Sequence, residues 1–284
     1  MAEAAPERLP DAPLPPGQRL ALRVEYDGGP YAGWQAQPQL PAVCTVQETV
    51  EAALSRIAAA PVRVHCAGRT DTGVHAIAQW VHLDTPAARG LKAWVVGGNA
   101  QLPPSVRLTA AVPVAADFHA RHSALRRRYD YLIANRAVAP ALLAGRALWV
   151  REPLDAGAMQ RALQPLLGEH DFSAFRAAAC QSRSPMRHLA LARAWRRGDC
   201  LQVCLVGNAF LHHMVRNIVG SLLEVGAGRQ HERWLGELLA GRDRRRAAAT
   251  AGPEGLYLSA VEFPARYRLP APQYPPFLAA EPGG

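Results

Sequence analysis

The chain has 284 residues, a formal net charge of +9 and a sequence pI near 9.9, with arginine far outnumbering lysine. That length can bury a substantial core as one large domain or two small ones, and the charge suits a polyanionic partner, because guanidinium groups contact phosphate in bidentate fashion; a basic surface also serves solubility alone. No apolar run is long enough to span a bilayer, and the first twenty residues hold five prolines and no apolar leader core, which points away from a membrane and toward a soluble, cytoplasmic protein.

Residues 1–17 are proline-rich without periodicity and read as a disordered arm. Residues 20–26 alternate apolar and polar side chains as a strand, ended by Asp27-Gly28-Gly29-Pro30. An aromatic, glycine-broken loop with Tyr31 and Trp34 follows; Trp34 suits either RNA contact or the core. Thr45 and Glu48 form a capping box for a helix whose apolar face is Val46, Val50, Ala53, Leu54 and Ile57. Residues 62–66 and 77–84 then alternate as two strands, so the Gly68–Gly73 stretch between them is a loop at a strand end. It carries Arg69, Asp71 and, just beyond, His75, the kind of place where a rigid sheet displays reactive groups. An aspartate in such a turn also commonly bonds its own backbone.

A second helix is expected over residues 90–99 and a strand over 108–112. Asp117 to His122 and then Leu125 to Ile133 interleave Arg with Phe, His and Tyr, which offers phosphate neutralisation beside faces for base stacking. A plain strand with Tyr129, Tyr131 and Ile133 inward and Arg128 and Asp130 in solvent explains the same pattern. The domain boundary falls within 139–149. Beyond it come a helix capped by Asp155, a polar basic loop at 180–184, a hairpin turning at Arg197-Gly198-Asp199, and a helix from Met214. On the helical wheel, Arg216, Asn217, Gly220, Ser221 and Glu224 share the polar half, and Arg216 at its margin can reach a carboxylate at the domain junction. A helix around 234–239 and a strand at 257–263 follow. Six prolines in the last twenty-one residues mark a loose tail.

No glycine-rich nucleotide loop or metal-ligand cluster is present, and the zinc deaminase pattern is missing. Cys44, Cys66, Cys180, Cys200 and Cys204 form no C-x-x-C pair and read as reduced thiols. His212-His213 is a poor chelate, since adjacent positions point in different directions. Chemistry on RNA is then left to side chains, without metal or small-molecule cofactor.

Arg-Thr-Asp-Thr-Gly-Val-His at 69–75 resembles the signature of the tRNA pseudouridine synthases of the TruA family, with Thr72 where alanine is usual. Further resemblances follow in family order: Tyr-Asp-Gly at 26–28, Gly-Trp-Gln at 33–35, Asp-Phe-His-Ala-Arg at 117–121, Arg-Arg-Tyr at 127–129, Cys-Gln-Ser at 180–182, and Asn208 through Gly220. Asp130 departs from a position that is often basic. The resemblance implies an α+β fold: two similar halves, residues 18–145 and 146–264, whose antiparallel sheets join across a central catalytic cleft, with a tail at 265–284 and a homodimeric assembly. It implies isomerisation of uridine to pseudouridine at positions 38, 39 and 40 of the tRNA anticodon stem and loop. Asp71 is then the nucleophile, and attack at C1′ and at C6 both remain open. Arg69 fills the gap left by the extruded base, Tyr129 stacks on the flipped ring, and Arg216 holds the carboxylate. Phe118, His119, Ala120, Arg121 and His122, with Ala179, Cys180, Gln181, Ser182 and Arg183, would contact the tRNA. A non-catalytic tRNA binder and an RNA methyltransferase are the alternatives, the latter disfavoured by the missing cofactor loop.

Overall fold

The computed structural model describes residues 9–37, 39, 43–272, 274–275 and 277–278. In chain order, β1 (Arg19–Tyr26) is followed by α1 (Val46–Ala58), β2 (His65–Cys66) and β3 (His75–Asp84). Next comes α2, a π-helical turn over Ala93–Gly97 continuing as α-helix over Gly98–Gln101, then β4 (Val106–Val114), β5 (Arg126–Asn135) and β6 (Leu148–Val150). The remainder is α3 (Ala156–Leu163), β7 (Gly168–Asp171), β8 (Met186–Arg197), β9 (Cys200–Gly207), α4 (Met214–Gly226), α5 (Trp234–Gly241) and β10 (Leu256–Glu262).

One mixed sheet runs through the described chain in the order β4-β1-β3-β10-β5-β9-β8-β7, with β2 on β3 and β6 on β5. The fold is therefore α+β. Pairings are antiparallel except β3 with β10 and β5 with β6. β10 is laid beside β3 through Tyr257↔His75 and Leu258↔Ala76 and pairs with β5 on its other side, so it joins the strand that follows the Asp71 loop to the rest of the sheet.

The helices cover one face. Thr45 caps α1, its hydroxyl accepting the Glu48 N–H at 3.4 Å, and α1 buries Val46, Val50 and Leu54 in the core. Gly98 of α2 sits so close to Leu108 that a Cβ there would lie 2.7 Å from its side chain, which accounts for a glycine inside a helix. α3 lies on β8 and packs against α4 and α5. The sheet's other face holds a smaller cluster of Ile77, Leu132, Ala134, Ala147, Tyr257 and Leu278. β3 is buried on both faces from His75 to Leu83.

Three expectations change. Alternation predicts solvent around Asp130, but Asp130 is fully buried. It accepts from Arg128 Nε at 2.9 Å and Gln202 Nε2 at 2.8 Å, and from the Ser259 hydroxyl. With Arg128 Nη2 donating to Oδ1 at 3.1 Å, four donors surround the buried side chain and offset its loss of water. The expected tail lies against this back face where it is described: Arg128 stacks over the Tyr274 ring at 5.0 Å and Leu278 is 2% exposed. Likewise residues 9–17, expected to be loose, carry no helix or strand yet are fastened by Leu14 N–H to Arg89 O at 3.3 Å and Gly17 N–H to Thr85 O at 3.1 Å. Residues 1–8 lie outside the described residues.

Candidate active site

The loop joining β2 to β3 is positioned by its neighbours rather than by its own sequence. Buried Gln79 of β3 receives the N–H groups of Ala67 and Gly68 at 3.2 and 3.3 Å and donates back to the Gly68 carbonyl. Tyr26 and Thr70 bond through their hydroxyls at 2.8 Å, and Trp34 N–H donates to Thr70 O at 3.0 Å. Two glycines allow this closeness: a Cβ on Gly28 would lie 2.0 Å from Val74 O, and Gly33, with φ of 90°, has Thr70 O where a Cβ would be only 2.8 Å away. The Tyr-Asp-Gly and Gly-Trp-Gln stretches are thus the cradle of the Asp71 loop. Trp34 itself belongs to the core at 1% exposure.

Asp71 faces the start of α4. Arg216 Nη1 lies 3.4 Å from Asp71 Oδ2, and Arg216 Nε donates to Ala251 O at 2.8 Å. The segment carrying Ala251 can approach because Gly220 has no Cβ; one would sit 2.0 Å from Ala249 O. Within the polar half of α4, Asn217, Gly220 and Ser221 are accordingly buried, while Arg216 and Glu224 are partly exposed. Asn217 donates to Phe175 O at 2.8 Å and receives Thr250 Oγ1 at 2.7 Å, and Ser221 is fully enclosed.

His213, just before α4, has φ of 60° in the left-handed region. That turn defeats the expectation that adjacent histidines diverge: His212 Nε2 lies 3.4 Å from Asp71 Oδ1 and His213 Nε2 3.3 Å from Oδ2. Burial lowers the His213 pKa, against the raising effect of Asp71.

Tyr129, 8% exposed, stands in the same cleft, edge-on to Phe210 with ring centroids 5.0 Å apart. Burial, reinforced by the Asp71 charge, pushes its hydroxyl pKa up, so it stays protonated. Burial likewise pushes the Cys66 thiol up to about 12, against Arg69 and Arg121, so it is no rival nucleophile. The cleft measures about 1030 Å³ and, among the described residues, is lined by Arg63, Arg69, Arg121, Arg127, Arg187 and Arg216, five histidines and a single carboxylate, Asp71.

Of the residues expected from sequence, Asp71, Arg69, Tyr129 and Arg216 share this cleft, as do His119, Arg121, His122, Ala179, Gln181 and Ser182. Phe118 and Ala120 are fully buried, Phe118 packing on Phe263 and Tyr267, so their side chains support the rim rather than meet a ligand. Cys180 is half-buried and accepts the His212 N–H at 3.5 Å, while exposed Arg183 lies outside the cleft lining. His75 is structural: 2% exposed, its Nδ1 accepts Gly28 N–H at 3.0 Å, Nε2 lies 3.2 Å from Glu254 O, and the ring stacks on Tyr257. Sequence reasoning missed Arg127, whose guanidinium ties three rim segments by donating to Ala67 O, Arg121 O and Asn208 O at 3.0, 2.7 and 2.9 Å. The Arg-Arg-Tyr stretch at 127–129 contains it but does not distinguish its role from that of Arg128.

A buried tyrosine, a carboxylate with an arginine partner and a basic cleft form a site for side-chain chemistry on a nucleic acid. The tRNA pseudouridine synthase family model matches residues 23–123 and 162–264, and the chain belongs to that family, whose members are isomerases. It is similar to the tRNA pseudouridine synthase A of Escherichia coli O9:H4 (strain HS) and of E. coli (strain K12 / DH10B), 50% identical to each over 273 residues that cover 96% of this chain and 100% of the relative.

Proposed function

We propose that this chain isomerises uridine to pseudouridine at positions 38, 39 and 40 of the tRNA anticodon stem and loop, with Asp71 as nucleophile. The observation that carries the reading is the convergence of Asp71, Tyr129 and Arg216 in one arginine-lined cleft. The reaction breaks the N1–C1′ bond and forms a C5–C1′ bond; C5 loses a proton and N1 takes one up, so substrate and product have the same atoms. A stacked uridine hides its glycosidic bond, so the nucleotide is extruded into the cleft. Exposed Arg69 fills the vacated space, Tyr129 packs on the flipped ring, and Arg216 holds the carboxylate oriented for attack at C1′ or C6.

Arg121, His119, His122 and the 179–183 loop grip the tRNA backbone. No metal or small-molecule cofactor enters this scheme. We read the chain as two α+β halves, 18–145 and 146–264, that meet along the cleft, with the proline-rich stretches 1–17 and 265–284 outside them. The family's homodimeric assembly and a cytoplasmic location complete the reading.

The test is incubation of purified protein with an unmodified tRNA transcript bearing uridine at 38, 39 and 40, followed by mapping of pseudouridine. Modification confined to those positions is the expected result. Tight tRNA binding with no pseudouridine formed would replace this reading with that of a binding protein.

A further inference from the structure

His212 and His213 have no part in the scheme above, yet they bracket its nucleophile. Their Nε2 atoms lie 3.4 and 3.3 Å from the two oxygens of Asp71, and the three ligand atoms fall within 4.8 Å of one another. In a tetrahedral zinc site with bonds of 2.0–2.1 Å, neighbouring ligand atoms are about 3.3–3.4 Å apart. Each histidine meets that edge with its own carboxylate oxygen, and a turn of the Asp71 carboxylate would present one oxygen to both. The remaining nitrogen-to-nitrogen separation can close by ring rotation, since the His212 and His213 side chains are 39% and 29% exposed.

The donor set is two imidazoles and one carboxylate, which suits zinc-type borderline ions rather than magnesium or calcium. The left-handed turn at His213 (φ 60°) places two adjacent rings on one target. Arg216 Nη1, 3.4 Å from Oδ2, stands as an outer partner to the ligating carboxylate. All three residues line the open cleft, so an ion held there could be reached from solvent.

We propose that Asp71, His212 and His213 form a three-ligand site for a zinc-type divalent ion, and that the bound ion withholds Asp71 from substrate. The first half stands on geometry alone, whereas the inhibitory half rests on Asp71 being the nucleophile. Ion and extruded uridine then compete for one carboxylate.

The test titrates the full chain with Co²⁺ in the absence of RNA, following the visible absorption of four-coordinate cobalt, and then displaces it with Zn²⁺. One ion per chain is expected. His212→Ala and His213→Asn, the latter keeping a residue that tolerates the left-handed turn, should each weaken binding by more than the roughly 10–100-fold typical of losing an outer partner. His122→Asn and Cys44→Ser should leave it unchanged, with thermal melting confirming that every variant is folded. Absence of binding in the wild type, unchanged binding in both histidine variants, or loss of binding in Cys44→Ser overturns the site. In a second arm, Zn²⁺ should abolish pseudouridine formation over the same concentrations, and excess tRNA should relieve it. Stoichiometric zinc at this site with an unaltered rate would instead refute Asp71 as nucleophile while leaving the metal site standing.

Discussion

Arg216→Ala separates orientation of the proposed nucleophile, Asp71, from grip on the RNA. The change deletes the Nη1 contact to Asp71 Oδ2 at 3.4 Å and the Nε bond to Ala251 O at 2.8 Å. A hydrogen bond to a charged group contributes about 1.5–3 kcal/mol, which corresponds to roughly 10- to 150-fold in rate when it acts on the reacting carboxylate. The Arg216 side chain is only 13% exposed and committed to these two partners, so little of it remains for phosphate. Single-turnover pseudouridine formation with enzyme in excess should therefore slow within that range, while Kd for tRNA stays within about threefold. The unpaired Ala251 carbonyl adds a stability loss of about 1–3 kcal/mol, read as a drop of about 2–4 °C in Tm per kcal/mol. Arg216→Lys keeps the charge without both bonds and should fall between. A tenfold weaker Kd with an unchanged saturating single-turnover rate would refute this assignment and make Arg216 a phosphate ligand.

Asp130→Ala should destabilise the fold by about 3–5 kcal/mol, because it strands the Arg128 guanidinium among buried partners; chemical denaturation measures it, and a loss below about 1 kcal/mol would contradict the buried network. Burial, with the neighbouring His119 and His65, holds His82 down at about 4. As pH falls from the unfolded value near 6.5 toward 4, the unfolded chain binds the proton first, so stability should decline through that window. His82→Asn, which retains an acceptor for the Ala120 N–H, should flatten the decline in a Tm–pH series, and an unchanged slope would count against it. Arg121→Ala should weaken tRNA binding and reduce the salt slope by about 1 while leaving the single-turnover rate nearly intact; an affinity-independent rate loss would contradict a backbone role.

The elements that sequence made legible are those with a complete local pattern. The capping box at Thr45 and Glu48, the hairpin at Arg197-Gly198-Asp199 and the alternation of β1 each carry their own instructions, and each formed where expected. What stayed hidden depends on partners far along the chain. β7 has no apolar alternation and exists because Gly168↔Leu189 through Asp171↔Met186 pair it to β8. Strand 62–66 shortened to His65–Cys66, where β3 offers a partner. Burial of Asn217, Gly220 and Ser221 requires the 249–251 segment to lie on α4, which no helical wheel contains. At the site, Asp71 and Arg216 were legible because they sit within distinctive stretches. The convergence of His212 and His213 was not, because it turns on one backbone dihedral.

The central claim is that Asp71 performs the chemistry and does not merely shape a binding cleft. Wild type and Asp71→Asn, compared on the same unmodified tRNA transcript for both Kd and pseudouridine formation without added cofactor, test it most directly. The account expects binding to persist, or to tighten as a negative charge is lost, while pseudouridine falls below detection. Turnover by Asp71→Asn at a rate near that of the wild type would contradict it.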